Sequence, residues 1–138
     1  MRARILIVDD HEIVRGGIRT LLSTASPDWE MCGEAGNADQ AVESVGRLNP
    51  DLVVLDITMP GKSGLEVARK ISKSKPECRI LMFTMHESYQ LGTEVREAGA
   101  QGYVLKSQGA RDLVAAIETL LAGGTFFGAA SLQQGAGA

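Results

Sequence analysis

Short runs of apolar residues alternate along the chain with segments in which apolar residues recur at helical spacing. The apolar runs cover residues 5–8, 52–55, 80–83 and 103–105, and short runs of this kind are typical of buried β-strands. A further strand is predicted over Trp29–Ala35, where apolar and polar residues alternate. Each strand is followed by a segment whose apolar residues lie three or four positions apart, as on one face of a helix. The pattern therefore predicts five strand–helix units.

This alternation favours an α/β fold, a parallel sheet with helices on both of its faces. The three fully apolar strands (the first, third and fourth) should be central, because parallel strands that are covered on both faces are hydrophobic throughout. The alternating second strand and the short fifth strand should lie at the edges. A five-stranded, doubly wound, flavodoxin-like sheet of order 2-1-3-4-5 is a known arrangement that fits these expectations.

The length of 138 residues suits one domain. We expect residues 1–123 to form the packed domain and residues 124–138, which become rich in Gly and Ala, to form a flexible linker or tail. Because 14 basic and 17 acidic residues give a net charge of −3, binding of this chain itself to nucleic acid or to an anionic membrane through a broad basic surface is not expected.

Neither a membrane span nor a signal peptide is expected, since the longest apolar runs are far too short to cross a bilayer. A cytoplasmic protein is the corresponding expectation. Cys32 and Cys78 belong to no Cys-x-x-Cys motif, and they are interpreted as small buried hydrophobic residues in a reducing compartment.

Polar residues follow four of the predicted strands at the point where each strand ends. They are Asp9 and Asp10, Asp56, Thr84, and Lys106. A single Asp at a strand end is often a helix N-cap, but residues at the carboxyl ends of successive parallel strands meet at one edge of the sheet, where ligands of such folds bind. We therefore expect these five side chains to share one pocket.

Carboxylates in one pocket repel each other by roughly 4 kcal/mol per pair at 4 Å and an effective dielectric of 20. Either a carboxylate takes up a proton or a cation is bound, and oxygen ligands favour Mg²⁺. A transition metal held with His11 is a weaker alternative, because we expect His11 to point into the first helical turn. Asp56 is then a candidate nucleophile for a phosphoryl group, whose oxygens Mg²⁺, Lys106 and Thr84 would neutralise.

Four segments resemble the receiver domain of bacterial two-component response regulators. They are residues 5–11 (ILIVDDH), 52–64 (LVVLDITMPGKSG), 80–84 (ILMFT) and 98–106 (AGAQGYVLK). The resemblance extends from residue 4 to about residue 123. The Asp-Asp-His opening and the Lys106-Ser107 pair are most similar to the NarL/FixJ (LuxR-type) subfamily.

The resemblance implies a role for each candidate residue. Asp56 corresponds to the phosphoacceptor, and Asp9, Asp10 and the backbone carbonyl of Thr58 correspond to the other protein groups around Mg²⁺. Lys106 corresponds to the lysine that pairs with the phosphoacceptor.

Two further residues correspond to the conformational switch of that family. Thr84 corresponds to the hydroxyl that moves toward the phosphoryl group, and Tyr103 to the aromatic residue that is inward in the active state. A simpler interpretation of Tyr103 is an edge-strand aromatic residue that packs on the fourth helix.

Two further positions bear on the comparison with this family. Most receivers have a proline joined by a cis bond where this chain has Ser107, so the Lys106–Ser107 peptide could be trans. Thr58 and His86 lie where family members tune dephosphorylation.

The expected function is a switch that is phosphorylated by a sensor histidine kinase, forms a possible homodimer on phosphorylation, and is not a turnover enzyme. LuxR-type relatives imply transcription control through a C-terminal DNA-binding domain, for which the residues after 123 are too few. One alternative is a phosphorylation-independent binding module. Another is a haloacid-dehalogenase-type phosphohydrolase, but that class needs an Asp where Thr58 stands.

Overall fold

The computed structural model of the chain describes residues 2–85, 88 and 90–127. The strands are β1 (Ala3–Val8), β2 (Trp29–Ala35), β3 (Leu52–Leu55), β4 (Arg79–Thr84) and β5 (Gly102–Leu105). The helices are α1 (Glu12–Ala25), α2 (Ala38–Leu48), α3 (Gly64–Ser74), α4 (Leu91–Glu97) and α5 (Ala110–Leu121). Strands and helices alternate as the apolar pattern predicts. The expectation for His86 and most of the predicted tail, residues 128–138, lie outside the described residues.

The five strands form one parallel sheet of order β2-β1-β3-β4-β5, which confirms the predicted fold. The three fully apolar strands are central, with β1, β3 and β4 having neighbours on both sides. Strand order reverses direction between β1 and β3, because β2 follows β1 on one side and the later strands follow on the other. The carboxyl ends of these two central strands therefore meet where ligands bind to such sheets.

Two hydrophobic clusters cover the two faces of the sheet. In β1, Leu6 and Val8 pack in the cluster formed with α2, α3 and α4, whereas Ile5 and Ile7 pack in the cluster formed with α1 and α5. This division follows from the alternation of side chains along a strand. None of the helices in the described part of the chain combines the length and the apolar character needed to cross a lipid bilayer.

The edge strand β2 departs from the regular alternation that the sequence predicts. Ile5 pairs with Met31 and the next residue, Leu6, pairs with Gly33, so that Cys32 is an extra residue in the strand. This bulge puts Met31 in the cluster of α1 and α5 and Ala35 in the other cluster. The edge position is confirmed, but one uniform buried face along β2 is not, since a bulge reverses the side-chain alternation.

The packed part of the chain extends beyond the predicted boundary at residue 123. Gly123 ends α5 with a φ of 94°, and residues after it return to the free edge of β5, where Phe126 forms a parallel bridge with Gly102. Phe127 is buried. Within the segment predicted as linker or tail, Phe126 and Phe127 therefore pack against the two faces of the sheet edge.

The start of α3 is fastened to the turn that follows β3. The amide of Gly64 donates a 2.7 Å hydrogen bond to the carbonyl of Ile57, and the Ser63 hydroxyl caps the helix by accepting from the amide of Leu65. A Cβ atom on Gly64 would lie 2.1 Å from the carbonyl oxygen of Asp56. A glycine here is therefore required by close packing and holds the Asp56 turn against the helix.

We predict that Gly64→Ala lowers the free energy of unfolding by about 1–3 kcal/mol, because the added methyl group overpacks a backbone contact. The matched control is Gly17→Ala, at an exposed helical position where a Cβ would meet nothing within 4 Å. That change should raise stability by up to about 1 kcal/mol. Urea denaturation measures both, and a Gly64→Ala chain as stable as the wild type would contradict the packing argument.

Candidate functional site

The loops after β1 and β3 continue the backbone ladder for one residue beyond the strands. The amide of Asp9 donates to the carbonyl of Ala35 at 3.0 Å, and the amide of Asp56 donates to the carbonyl of Val8 at 3.0 Å. Both residues are buried, with 1% and 5% of their surface exposed. Their carboxylates are thus held by the sheet itself at the point where strand order reverses.

Lys106 joins these two carboxylates. Its Nζ atom donates to Asp9 Oδ2 at 2.7 Å and to Asp56 Oδ2 at 3.4 Å. The lysine begins a short 3₁₀ turn after β5, where the side chain of Gln108 accepts a 2.9 Å hydrogen bond from the amide of Leu105. Residues from three strand ends are therefore brought into one contact, as the sequence predicts for Asp9, Asp56 and Lys106.

The charges of this contact are not equally satisfied. Burial raises the pKa of Asp56 above its ordinary value, and the charge of Asp9 raises it further, against the opposing effects of Lys106 and of a hydrogen bond from the amide of Thr58. Burial alone would lower the pKa of Lys106, but the hydrogen bond to Asp9 and the charges of Asp56 and Asp9 raise it overall. The ammonium ion is closer to Asp9, so the Asp56 carboxylate is the less well compensated of the two.

Asp10 contributes a third carboxylate with an unsatisfied oxygen. Asp10 Oδ1 is inaccessible to solvent and has no hydrogen-bond partner, and it is the one side-chain atom in the described part of the chain with that combination. His11 Nδ1 lies 3.1 Å from it without making a well-aligned hydrogen bond. A buried carboxylate oxygen without a donor is costly, and a cation would relieve that cost.

The sequence predicts that His11 points into the first turn of α1, and that prediction is wrong. It is the N-cap residue of α1, and its ring turns back so that Nδ1 lies 3.3 Å from Asp9 Oδ1. Asp9, Asp10 and His11 therefore offer possible ligand atoms within 4.8 Å of one another. His11 remains 67% exposed, and the other possible ligand atoms are carboxylate oxygens, so the donor set fits a hard, oxygen-preferring cation such as Mg²⁺.

Arg15 is a site residue that the sequence analysis missed. Its Nη1 atom donates to the backbone carbonyl of Asp9 at 2.6 Å, and its Nε atom donates to Glu34 Oε1 at 3.1 Å. Arg19 also pairs with Glu34. The loop that carries Asp9 and Asp10 is thus anchored from α1. An arginine one turn into the helix after an acidic pair is the sequence signal, but only the fold brings Glu34 beside it.

Thr84 and Tyr103 lie on one face of the sheet. Thr84 ends β4 and is fully buried. Met82 pairs with Tyr103 and Thr84 pairs with Leu105, so these side chains point to the face covered by α4, where Met82 and Tyr103 belong to the same cluster. Tyr103 is buried, with 8% of its surface exposed. The peptide that joins Lys106 to Ser107 is trans.

Comparison with protein families gives a match to the model described as the response regulator receiver domain over residues 5–118. Among curated proteins, the nitrate/nitrite response regulator protein NarL of Escherichia coli K12 is 38% identical over 121 residues, which cover 88% of this chain and 56% of that protein. The response regulator GacA of Pseudomonas viridiflava is 34% identical over 131 residues, 95% of this chain and 61% of that protein.

Solved structures of response regulators are also similar to this chain. A LuxR-family two-component response regulator from Aurantimonas sp. SI85-9A1 has a TM-score of 0.91 at 41% identity, covering 96% of this chain and 94% of that one. The isolated receiver (REC) domain of RcsB from Salmonella enterica serovar Typhimurium, solved in the presence of phosphomimetic BeF3-, has a TM-score of 0.86 at 26% identity, covering 94% of this chain and 95% of that one.

We predict that Asp56→Asn raises the free energy of unfolding at neutral pH in the absence of divalent cations, by on the order of 1 kcal/mol. The pKa of Asp56 is raised in the folded state, so its contribution to stability is full below the unfolded pKa and is lost as the pH rises through the folded pKa. The neutral amide of Asp56→Asn does not lose this stability as the pH rises. The difference in the free energy of unfolding between the variant and the wild type should therefore shrink as the pH falls.

Urea denaturation in EDTA at a series of pH values measures the difference. Asp28→Asn, which neutralises an exposed carboxylate in the loop before β2, is the matched control and should change little. An Asp56→Asn chain that is less stable than the wild type at neutral pH would show that the carboxylate is well compensated after all.

Proposed function

The chain belongs to the family of response regulator receiver domains, and from this premise we propose that it is a switch controlled by phosphorylation of Asp56. The observation that carries the proposal is the Lys106 amine, which lies within hydrogen-bonding reach of both Asp9 and Asp56. The Asp56 carboxylate is poorly compensated, and the Lys106 ammonium ion beside it could pair with the negative charge that a phosphoryl group would add. The phosphoryl donor would be a sensor histidine kinase.

Asp56 would act as the nucleophile. A carboxylate oxygen attacks phosphorus while the bond from phosphorus to the donor nitrogen breaks, and the nitrogen keeps the electron pair. Lys106, at 3.4 Å from Asp56 Oδ2, would pair with the transferred phosphoryl oxygens. The amide of Thr58 already donates to Asp56 Oδ1 at 3.2 Å and would hold the other carboxylate oxygen in place.

Asp9, Asp10, Asp56 and the backbone carbonyl of Thr58 are the groups that would hold Mg²⁺. Asp10 Oδ1 supports this choice, because it is a buried carboxylate oxygen that makes no hydrogen bond, and a cation would offset the cost of burying it. When bound, the ion supplies positive charge that neutralises the carboxylates and the oxygens of the phosphoryl group. Arg15, through the Asp9 carbonyl, would keep the acidic loop in position.

Thr84 and Tyr103 would carry the signal away from the site. A phosphoryl group on Asp56 adds roughly −1.5 to −2 charge and three acceptor oxygens, and the buried hydroxyl of Thr84 would move to one of them. Tyr103, already buried on the same face of the sheet, would shift further inward into the space that Thr84 leaves. The buried position of Tyr103 is the one that the proposal associates with the active state.

The output of the switch would lie outside this chain, which spans 52–61% of the length of curated relatives that it matches. Because those relatives include a transcriptional regulatory protein and the similar solved structures include a LuxR-family response regulator, we propose transcription control through a DNA-binding region beyond this chain. Phosphorylation would favour a homodimer. The chain would act in the cytoplasm and catalyse only its own phosphorylation and dephosphorylation, without turnover of a separate substrate.

We predict that acetyl phosphate and Mg²⁺ add one phosphoryl group to the wild-type chain and none to Asp56→Asn, since the amide is not a nucleophile for this transfer. Intact-mass spectrometry measures the adduct, and Asp28→Asn, at an exposed carboxylate, should be modified like the wild type. Omission of Mg²⁺ should remove most of the adduct.

Other outcomes would assign the chain differently. An equal adduct on Asp56→Asn would refute the assignment of Asp56. A wild-type chain that takes up no phosphoryl group and binds no beryllofluoride would favour a phosphorylation-independent binding module. Repeated turnover of a phosphoester would favour a phosphohydrolase.

A further inference from the structure

The segment that follows α5 adds a short strand to the open edge of β5. The amide of Tyr103 donates to the carbonyl of Phe126 at 2.8 Å, and the amide of Phe126 donates to the carbonyl of Gln101 at 3.0 Å. Phe126 thereby forms a parallel bridge with Gly102. Strand addition satisfies backbone groups that an edge strand would otherwise expose.

Gly102 provides the space for this addition. A Cβ atom at position 102 would lie 2.1 Å from the carbonyl oxygen and 2.9 Å from the carbonyl carbon of Phe126. Those are backbone atoms, which cannot move aside while the bridge persists. Glycine weakens a strand interior and often marks a close approach of another backbone, and here the approaching backbone is that of Phe126.

The two phenylalanines of the segment point to opposite faces of the sheet. Phe126 packs against the cluster of α1 and α5, whereas Phe127 is buried in the cluster that contains Tyr103. The rings of Phe127 and Tyr103 meet edge to face, with centroids 6.2 Å apart and planes at 63°. The guanidinium of Arg96, in α4, lies 4.1 Å from the centre of the Phe127 ring, which is a favourable cation–π distance.

Phe127 therefore lies on the outer side of Tyr103, between that ring and the open edge of the sheet. A Tyr103 side chain that swung outward from β5 would collide with Phe127 or would displace the segment. Tyr103 shares its face of the sheet with Thr84, which pairs with Leu105 two residues farther along β5. The docked segment is thus in contact, through the ring of Tyr103, with the face of the sheet that carries Thr84.

We propose that the edge of β5 is an interaction surface for this chain's own residues 125–127, and that the docked Phe127 is a positioning residue that holds Tyr103 buried. The coupling of this docking to phosphorylation rests on the proposed function. If a phosphoryl group on Asp56 favours buried Tyr103, then a docked segment raises affinity for that group, and the group favours docking by the same factor.

The test uses the full chain with fluorotyrosine at its two tyrosines, and Tyr89→Phe assigns the Tyr103 resonance in fluorine NMR. Without any ligand, Phe127→Ala should shift that resonance and increase its solvent isotope shift, because Tyr103 becomes exposed. Gly102→Ala should have the same effect through the backbone, without removing any side chain. Phe127→Leu, which keeps an apolar cover, should restore most of the burial.

A second measurement tests the coupling to the site. Phe127→Ala and Gly102→Ala should bind beryllofluoride with Mg²⁺ about fivefold or more weakly than the wild type, while Gly17→Ala, at a position with open space around it, should bind normally. Unchanged affinity in both variants would overturn the coupling.

The two measurements distinguish failure of the positioning role from failure of the proposed function. An unshifted Tyr103 resonance in Phe127→Ala would overturn the positioning role, whatever the state of the proposed function. A wild-type chain that binds no beryllofluoride would overturn the proposed function and the coupling, although Tyr103 could still become exposed in the variants.

Discussion

The site depends on one ammonium ion that serves two buried carboxylates. Lys106 lies 97 residues from Asp9 and 50 residues from Asp56 along the chain, so the contact exists only if β1, β3 and β5 end at the same edge of one sheet. Two buried carboxylates without a cation would repel each other strongly. The sheet positions the two carboxylates close together, and Lys106 offsets the repulsion between them.

One lysine does not neutralise three acidic groups. The excess negative charge that remains in the pocket favours the binding of a cation. The ammonium ion is nearer to Asp9 than to Asp56, and the buried Oδ1 atom of Asp10 makes no hydrogen bond. The pocket is thus built to receive further positive charge, and Asp56 is left as the carboxylate with the raised pKa. Arg15 restrains the acidic loop through its backbone rather than by pairing with these side chains.

Much of the fold and of this pocket could be predicted from the sequence. The apolar runs locate the strands, and a sheet of parallel strands brings residues at their carboxyl ends together, which is enough to group Asp9, Asp56 and Lys106. The division of Lys106 between its partners could not be predicted, because it depends on side-chain geometry. The same is true of the His11 ring and of the bulge at Cys32 in β2, where one extra residue reverses the side-chain alternation.

The contacts made by residues 126 and 127 could not be predicted from the sequence. Gly and Ala after residue 123 indicate a linker, but Phe126 and Phe127 lie against both faces of the sheet edge. The two adjacent aromatic residues were a signal for burial, and Gly102 within β5 was a signal for a close backbone approach. Neither reveals its partner alone, because the pairing joins residues that are distant in sequence.

The central claim, that the pocket around Lys106 is completed by a divalent cation at Asp10, is tested most directly by the free energy of unfolding over a Mg²⁺ titration at constant ionic strength. For the wild type the account predicts a rise that follows RT ln(1 + [Mg²⁺]/Kd), and for Asp10→Asn a much smaller rise. Wild-type stability that does not respond to Mg²⁺, or an equal rise in both chains, would contradict it.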